Sequence, residues 1–106
     1  MADISQYLDN LKTYEPNPNE KAVETIVKYL GIALRSRDAS LVSCSDDKEL
    51  ARVREGFCTK KLGLDEARAA EVVKKVCEIM KGERNKHRVT FYYLVARESG
   101  TLDKLV

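Results

Sequence analysis

Val89-Thr-Phe-Tyr-Tyr-Leu-Val95 is the stretch on which the fold class of this chain turns. Taken alone it favours a strand, because β-branched and aromatic residues suit a pleated, half-buried surface. Taken in place it favours a helix. Phe91, Leu94 and Val95 lie at the three- and four-residue spacing of a helical face, and Ala96-Arg-Glu-Ser-Gly100 has the composition of a helix C-terminus. A single strand with no second one to pair with has no stable form in water. The spacing therefore predicts a helix over residues 88–98. Tyr92 and Tyr93 are adjacent, so one narrow buried face has room for only one, and the other is expected at the surface or using its hydroxyl at a groove.

Working back along the chain, helix signals recur. Asp65 opens a fourth helix over residues 66–81, with Glu66 in its first turn, Ala70, Val73, Val76, Cys77 and Met80 along the buried side, and Gly82 at its end. A third helix spans residues 46–61. Ser45 caps it, Asp46, Asp47 and Glu49 meet the positive end of its dipole, and Leu50, Val53, Phe57 and Lys61 share a face with Ala51, Arg54 and Cys58 alongside. Gly63 closes it, and Leu64 folds back over the end. A second helix spans 18–35: Asn17 caps, Pro18 takes the first position, Glu20 completes a capping box, and Val23, Ile26, Val27, Leu30, Ala33 and Leu34 form one stripe that continues through Gly31. A first helix over 4–13 starts at Asp3, presents Ile4, Tyr7, Leu8 and Leu11, and stops at Tyr14-Glu-Pro-Asn-Pro18. The connection from Arg35 to Cys44 is long, with Leu41 and Val42 turned inward. The result is an all-α, compact single domain, residues 1–106, built as a bundle of about five helices.

Totals agree with that architecture. A chain of 106 residues with 43% hydrophobic residues supplies one core without needing disulfides or metal. The first residues lack the basic and apolar runs of a secretory leader, and no window approaches the ~18 apolar residues of a membrane span. Cys44, Cys58 and Cys77 are odd in number and widely spaced, which points to a reducing cytoplasm. Charge is balanced overall but not along the chain: residues 1–50 carry 6 basic and 9 acidic side chains, residues 51–106 carry 13 and 8.

The blocks Gly31-Ile-Ala-Leu-Arg, Ser40-Leu-Val-Ser-Cys-Ser-Asp, Glu49-Leu-Ala-Arg-Val-Arg, Lys60-Lys-Leu-Gly-Leu and Arg88-Val-Thr-Phe-Tyr-Tyr-Leu together resemble a bacterial family of short proteins of unknown function. The resemblance spans nearly the whole chain. It implies a bacterial, cytoplasmic, mostly helical protein, and it brings no assigned activity and no catalytic residues.

The chain offers residues for three kinds of site. Cys44 stands just before a helix start, where the dipole lowers a thiol pKa, so it is the candidate reactive thiol of an enzyme or redox sensor, with His87 its one conceivable base; a half-buried cysteine beside a helix start explains the same residues. Three cysteines and one histidine are enough for zinc but lack the close pairs that zinc sites use, so no metal and no cofactor is expected. Cys58 and Cys77 fit as small hydrophobes on helix faces, and Asp46 and Asp47 fit as helix-start charge. The basic residues Lys60, Lys61, Arg84, Lys86, His87 and Arg88, with Arg35 and Arg37 on the long connection, are the candidate binding set for an acidic protein, a phosphate or a nucleic acid; the alternatives are solvated lysines at helix C-termini and, for Arg35 and Arg37, ion pairs with Asp38, Asp46 or Asp47 that pin the loop. The leading expectation is a non-enzymatic binding or adaptor module meeting an acidic partner, ahead of a nucleic-acid accessory protein, which the sequence pI near 8.4 disfavours.

Overall fold

The computed structural model of the chain describes residues 5–31, 41–42, 44–82 and 86–105. Five α-helices occur among them: α1 (Ser5–Leu11), α2 (Glu20–Leu30), α3 (Asp47–Arg52), α4 (Glu66–Ile79) and α5 (Arg88–Glu98). α3 runs directly into a π-helical segment, Val53–Lys61, and a 3₁₀ turn, Leu102–Leu105, follows α5. Two two-residue strands, β1 (Leu41–Val42) and β2 (Lys86–His87), pair antiparallel with Leu41 opposite His87 and Val42 opposite Lys86. The fold is all-α. The radius of gyration, 12.4 Å, is that of a single domain of this length.

α5 is the post around which the rest packs. Arg88 through Ala96 are all buried, and the helix touches α1, α2, α4, the π-helical segment and the 3₁₀ turn. A helix apolar on every side belongs in the interior, not on an amphipathic surface. This corrects the expectation for the tyrosines: Tyr92 is 5% exposed and Tyr93 1%, because opposite sides of α5 are both covered. Each hydroxyl is partnered. The Tyr93 oxygen accepts the backbone N–H of Asn19 at 2.9 Å, and the Tyr92 oxygen accepts from Arg88 at 3.3 Å.

The Asn19 contact also resets the start of α2. Asn19, not Asn17, is its N-cap, its side chain accepting from the Ala22 N–H at 3.2 Å, so Pro18 lies before the helix. Gly31, at φ +45°, caps the other end, and α2 stops at Leu30 where a continuous stripe predicts passage to residue 35. Only glycine adopts that left-handed conformation without steric cost. Asp46 and Asp65 cap α3 and α4, each carboxylate accepting backbone N–H bonds from the first turn. Ser45 is not the cap. On α4 the buried side is Ala69, Val72, Val73, Val76 and Met80, with Ala70 exposed. Val42 is buried as expected. Asp3, Ile4 and residues 32–40 lie outside the described residues, as does Ser43.

Polar ties close the ends. The Arg97 guanidinium donates to the Tyr14 carbonyl and the Glu15 carboxylate at 3.0 and 3.2 Å, fixing the α1–α2 turn to the end of α5. Thr25 donates to the Leu105 carbonyl at 2.6 Å, and Lys104 to the Leu62 carbonyl at 2.7 Å. Among the described residues, no buried side-chain nitrogen or oxygen lacks a partner.

Candidate functional site

The nine residues Val53-Arg-Glu-Gly-Phe-Cys-Thr-Lys-Lys61 adopt a π-helix, a conformation found mostly as single turns and often at functional sites. Local chemistry loosens the α ladder here. Gly56 is a poor helix former, and the Thr59 hydroxyl donates back to the Glu55 carbonyl, a bond that bends helices. The Leu62 N–H then reaches five residues back to the Phe57 carbonyl at 3.0 Å. Apolar spacing supplies the tertiary reason. Val53, Phe57, Cys58 and Leu62 are buried, four and five residues apart, which the wider turn keeps on one side. An α-helical period puts Lys61 on that side instead; the structure exposes Lys61 and buries Leu62.

This register drives Phe57 between two tyrosines. Its ring stacks on Tyr92 at 4.3 Å between centroids and meets Tyr29 of α2 at 5.6 Å. Beyond Tyr92, the Arg88 guanidinium carbon lies 5.8 Å from the ring centroid. Arg88 forms an ion pair with Glu49 of α3, at side-chain exposures of 8% and 17%. Burial pushes the Tyr92 hydroxyl above its ordinary pKa although Arg88 pulls the other way. The row runs from a buried ion pair outward to Tyr29, which is 44% exposed. Tyr29 lies across Gly56: a Cβ there would stand 3.9 Å from its hydroxyl. Lys60 and Lys61, four and five residues further along the π-helix, are exposed on the same turn spacing.

The predicted basic set is therefore divided. Lys60 and Lys61 are at the surface, Lys86 pairs through its backbone with Val42, and His87 is half-buried at the N-terminus of α5. Arg88 is not a surface residue; it turns inward because α5 is buried from its first turn and Glu49 supplies the counter-charge. Arg35, Arg37 and Arg84 lie outside the described residues. Cys44 is not a free thiol: it is bonded to Cys77, with the two Cα atoms 5.9 Å apart. That also corrects the reading of Cys77 as a small hydrophobe. Cys58 is the buried free cysteine, its thiol pushed up to about 11 by burial against the opposing pull of Arg54. Among the described residues, no group of three His, Cys, Asp or Glu side chains is placed to hold a metal ion.

Two open grooves flank α4. One, of about 270 Å³, is lined by Arg68, Glu71, Val72, Lys75 and Glu98, and its charges meet one another: Lys75 with Glu98 at 3.1 Å and Arg68 with Glu71 at 3.5 Å. Burial raises the Glu98 carboxyl, but hydrogen bonds and charge from Lys75 and Arg97 outweigh it and leave the group below the usual range. The second, of about 290 Å³, lies between the π-helical segment and α4, along Arg54, Glu55, Thr59, Glu66 and Ala70.

Tyr29 and Gly56 were not singled out by the sequence, and Glu49 was read only as helix-start charge. Tyr29 carries the one usable signal, a large aromatic lying off the apolar stripe of its own helix. No helix among the described residues is long and apolar enough to cross a membrane. A comparison with curated proteins finds no match. The family model described as "Protein of unknown function (DUF2853)" matches residues 6–103, and the chain belongs to that family.

Proposed function

We propose that this protein is a non-enzymatic binding module of the bacterial cytoplasm, and that it meets an acidic protein surface with the patch formed by Tyr29, Gly56, Lys60 and Lys61. The observation that carries the reading is the exposed Tyr29 with its hydroxyl against Gly56, and two exposed lysines one π-helical turn further along from that glycine. An amphipathic ring with adjacent cations suits a surface that offers carboxylates and an apolar contact. The π-helix holds Lys60 and Lys61 on a buried support, so little backbone ordering is needed on binding. Arg88, Arg97, Glu49 and Glu98 are engaged with one another and with the core, which fits a structural role for those charges. A cytoplasmic setting rests on the free, buried thiol of Cys58 and sits with the Cys44–Cys77 bond only if that bond is a transient one.

The test is affinity capture from bacterial lysate at low and moderate salt, with and without nuclease, using the wild type, Lys60→Glu/Lys61→Glu and Tyr29→Ala. The expected result is a discrete nuclease-resistant protein lost with both variants and weakened by salt. Retention of that protein by Lys60→Glu/Lys61→Glu removes the proposed patch. Nuclease-sensitive material lost with the same variant replaces the reading with nucleic-acid binding.

A further inference from the structure

α3 is six residues long and buries none of them, yet it carries Glu49, the partner of the buried Arg88. A helix that short has no independent stability. Its own support is local: the Asp46 carboxylate accepts the Lys48 and Glu49 N–H groups at 3.0 and 3.4 Å. It is tied to the domain by the pairing of β1 with β2 just upstream, by the Arg88–Glu49 ion pair, and by the bond from Cys44, two residues before the cap, to Cys77 on α4, across 33 residues of sequence. Both cysteines are half-buried, within reach of a small thiol, whereas Cys58 is fully buried. α4, α5 and α2 each bury apolar side chains of their own in the core.

We propose that the Cys44–Cys77 disulfide is a reversible redox latch: oxidised, it holds the entrance of α3 against α4, and reduced, it lets residues 44–52 open locally while α2, α4 and α5 stay folded. The reductant is a low-molecular-weight thiol. Its thiolate forms a mixed disulfide with one cysteine and expels the other as a thiolate, which takes up a proton. A second thiolate attacks the mixed disulfide, leaving two protein thiols and one small-molecule disulfide, so two electrons pass to the protein. Disulfides in reducing compartments are mostly of this transient kind, and segments that open locally are those with few buried apolar contacts.

The test equilibrates the wild-type protein in reduced and oxidised glutathione at graded ratios. Each sample is read by alkylation and mass spectrometry for the state of each cysteine, and by amide hydrogen exchange for each segment. The expected result is that Cys44 and Cys77 change together in one two-electron step. Exchange across 44–52 then rises at least tenfold on reduction and returns on reoxidation, while α5 and residues 66–76 of α4 are unchanged. Cys44→Ser/Cys77→Ser is expected to exchange fast across 44–52 in every buffer. Equal exchange across 44–52 in both redox states overturns the proposal. So does loss of protection throughout the domain on reduction, which makes the bond a global staple, and so does a glutathione adduct accumulating in place of the intramolecular bond.

Discussion

Replacing Glu49 by alanine withdraws the counter-charge from a guanidinium that is 8% exposed. Breaking a buried ion pair from one side costs about 3–5 kcal/mol, because the remaining charge stays desolvated. Glu49 is 17% exposed and Arg88 keeps its bond to the Tyr92 hydroxyl, so the lower end, about 3 kcal/mol, is the expectation. Unfolding entropy for 106 residues is about 0.22 kcal/mol/K, which converts that loss to a Tm decrease of about 13 °C. Thermal and urea unfolding followed by circular dichroism measures it. The pair itself is isolated by a cycle with Arg88→Met and the double variant Glu49→Ala/Arg88→Met. Once the cation is gone, removing the carboxylate costs little, so the coupling energy is expected at about 2–3 kcal/mol. A double variant whose loss equals the sum of the singles within about 0.5 kcal/mol refutes the reasoning, whatever the single variants cost.

Gly63, at φ +71° with Lys104 Nζ only 3.0 Å from where a Cβ would stand, is expected to lose about 1–2 kcal/mol as Gly63→Ala, whereas Gly82→Ala, with nothing within 4 Å, is close to neutral; chemical denaturation separates the two. Tyr93→Phe removes the acceptor for the Asn19 N–H and is expected to cost about 1 kcal/mol, with faster amide exchange confined to the first turn of α2. The Glu98 carboxyl is held below its unfolded value, so its contribution is complete above an unfolded pKa of about 4.5 and fades as pH falls through the folded value; Glu98→Gln should flatten the acid limb of the stability profile, and an unchanged limb shows that its partners do not matter. With its thiol pushed up to about 11, Cys58 should resist iodoacetamide at pH 8 in the folded protein under both oxidising and reducing conditions, and react only on unfolding.

The parts of the fold legible in the sequence are those fixed locally. Asp65 and the stripe behind it place α4, and residues 88–98 place α5, because caps and period act within one element. The capping box at Asn17 misplaces the start of α2, because the tie between the Asn19 N–H and the distant Tyr93 hydroxyl is invisible within that segment. Burial of both tyrosines was available in principle: from Val89 to Ala96 no side is polar enough for solvent, which is the mark of an interior helix. The site was less legible for a reason of period. Counting in α-helical turns assigns Lys61 to the core; its exposure, one π turn on from Gly56, emerges only when Val53, Phe57, Cys58 and Leu62 are counted four and five apart. The Cys44–Cys77 bond joins residues 33 apart, and no pattern within either neighbourhood pairs them.

The central position of α5 has a consequence for how the protein is made. A ribosome lays down α1, α2 and α4 before the residues of α5 exist, so each of those helices emerges with its apolar side facing a place not yet filled. Nascent segments of this kind cannot close a core one after another; they wait, exposed to aggregation and to chaperones, until Ala96 has cleared the exit tunnel. Stalling or truncating synthesis before that point should yield protease-sensitive chains with no folded intermediate, and a fragment ending at residue 82 should become ordered only when a separate peptide spanning α5 is supplied.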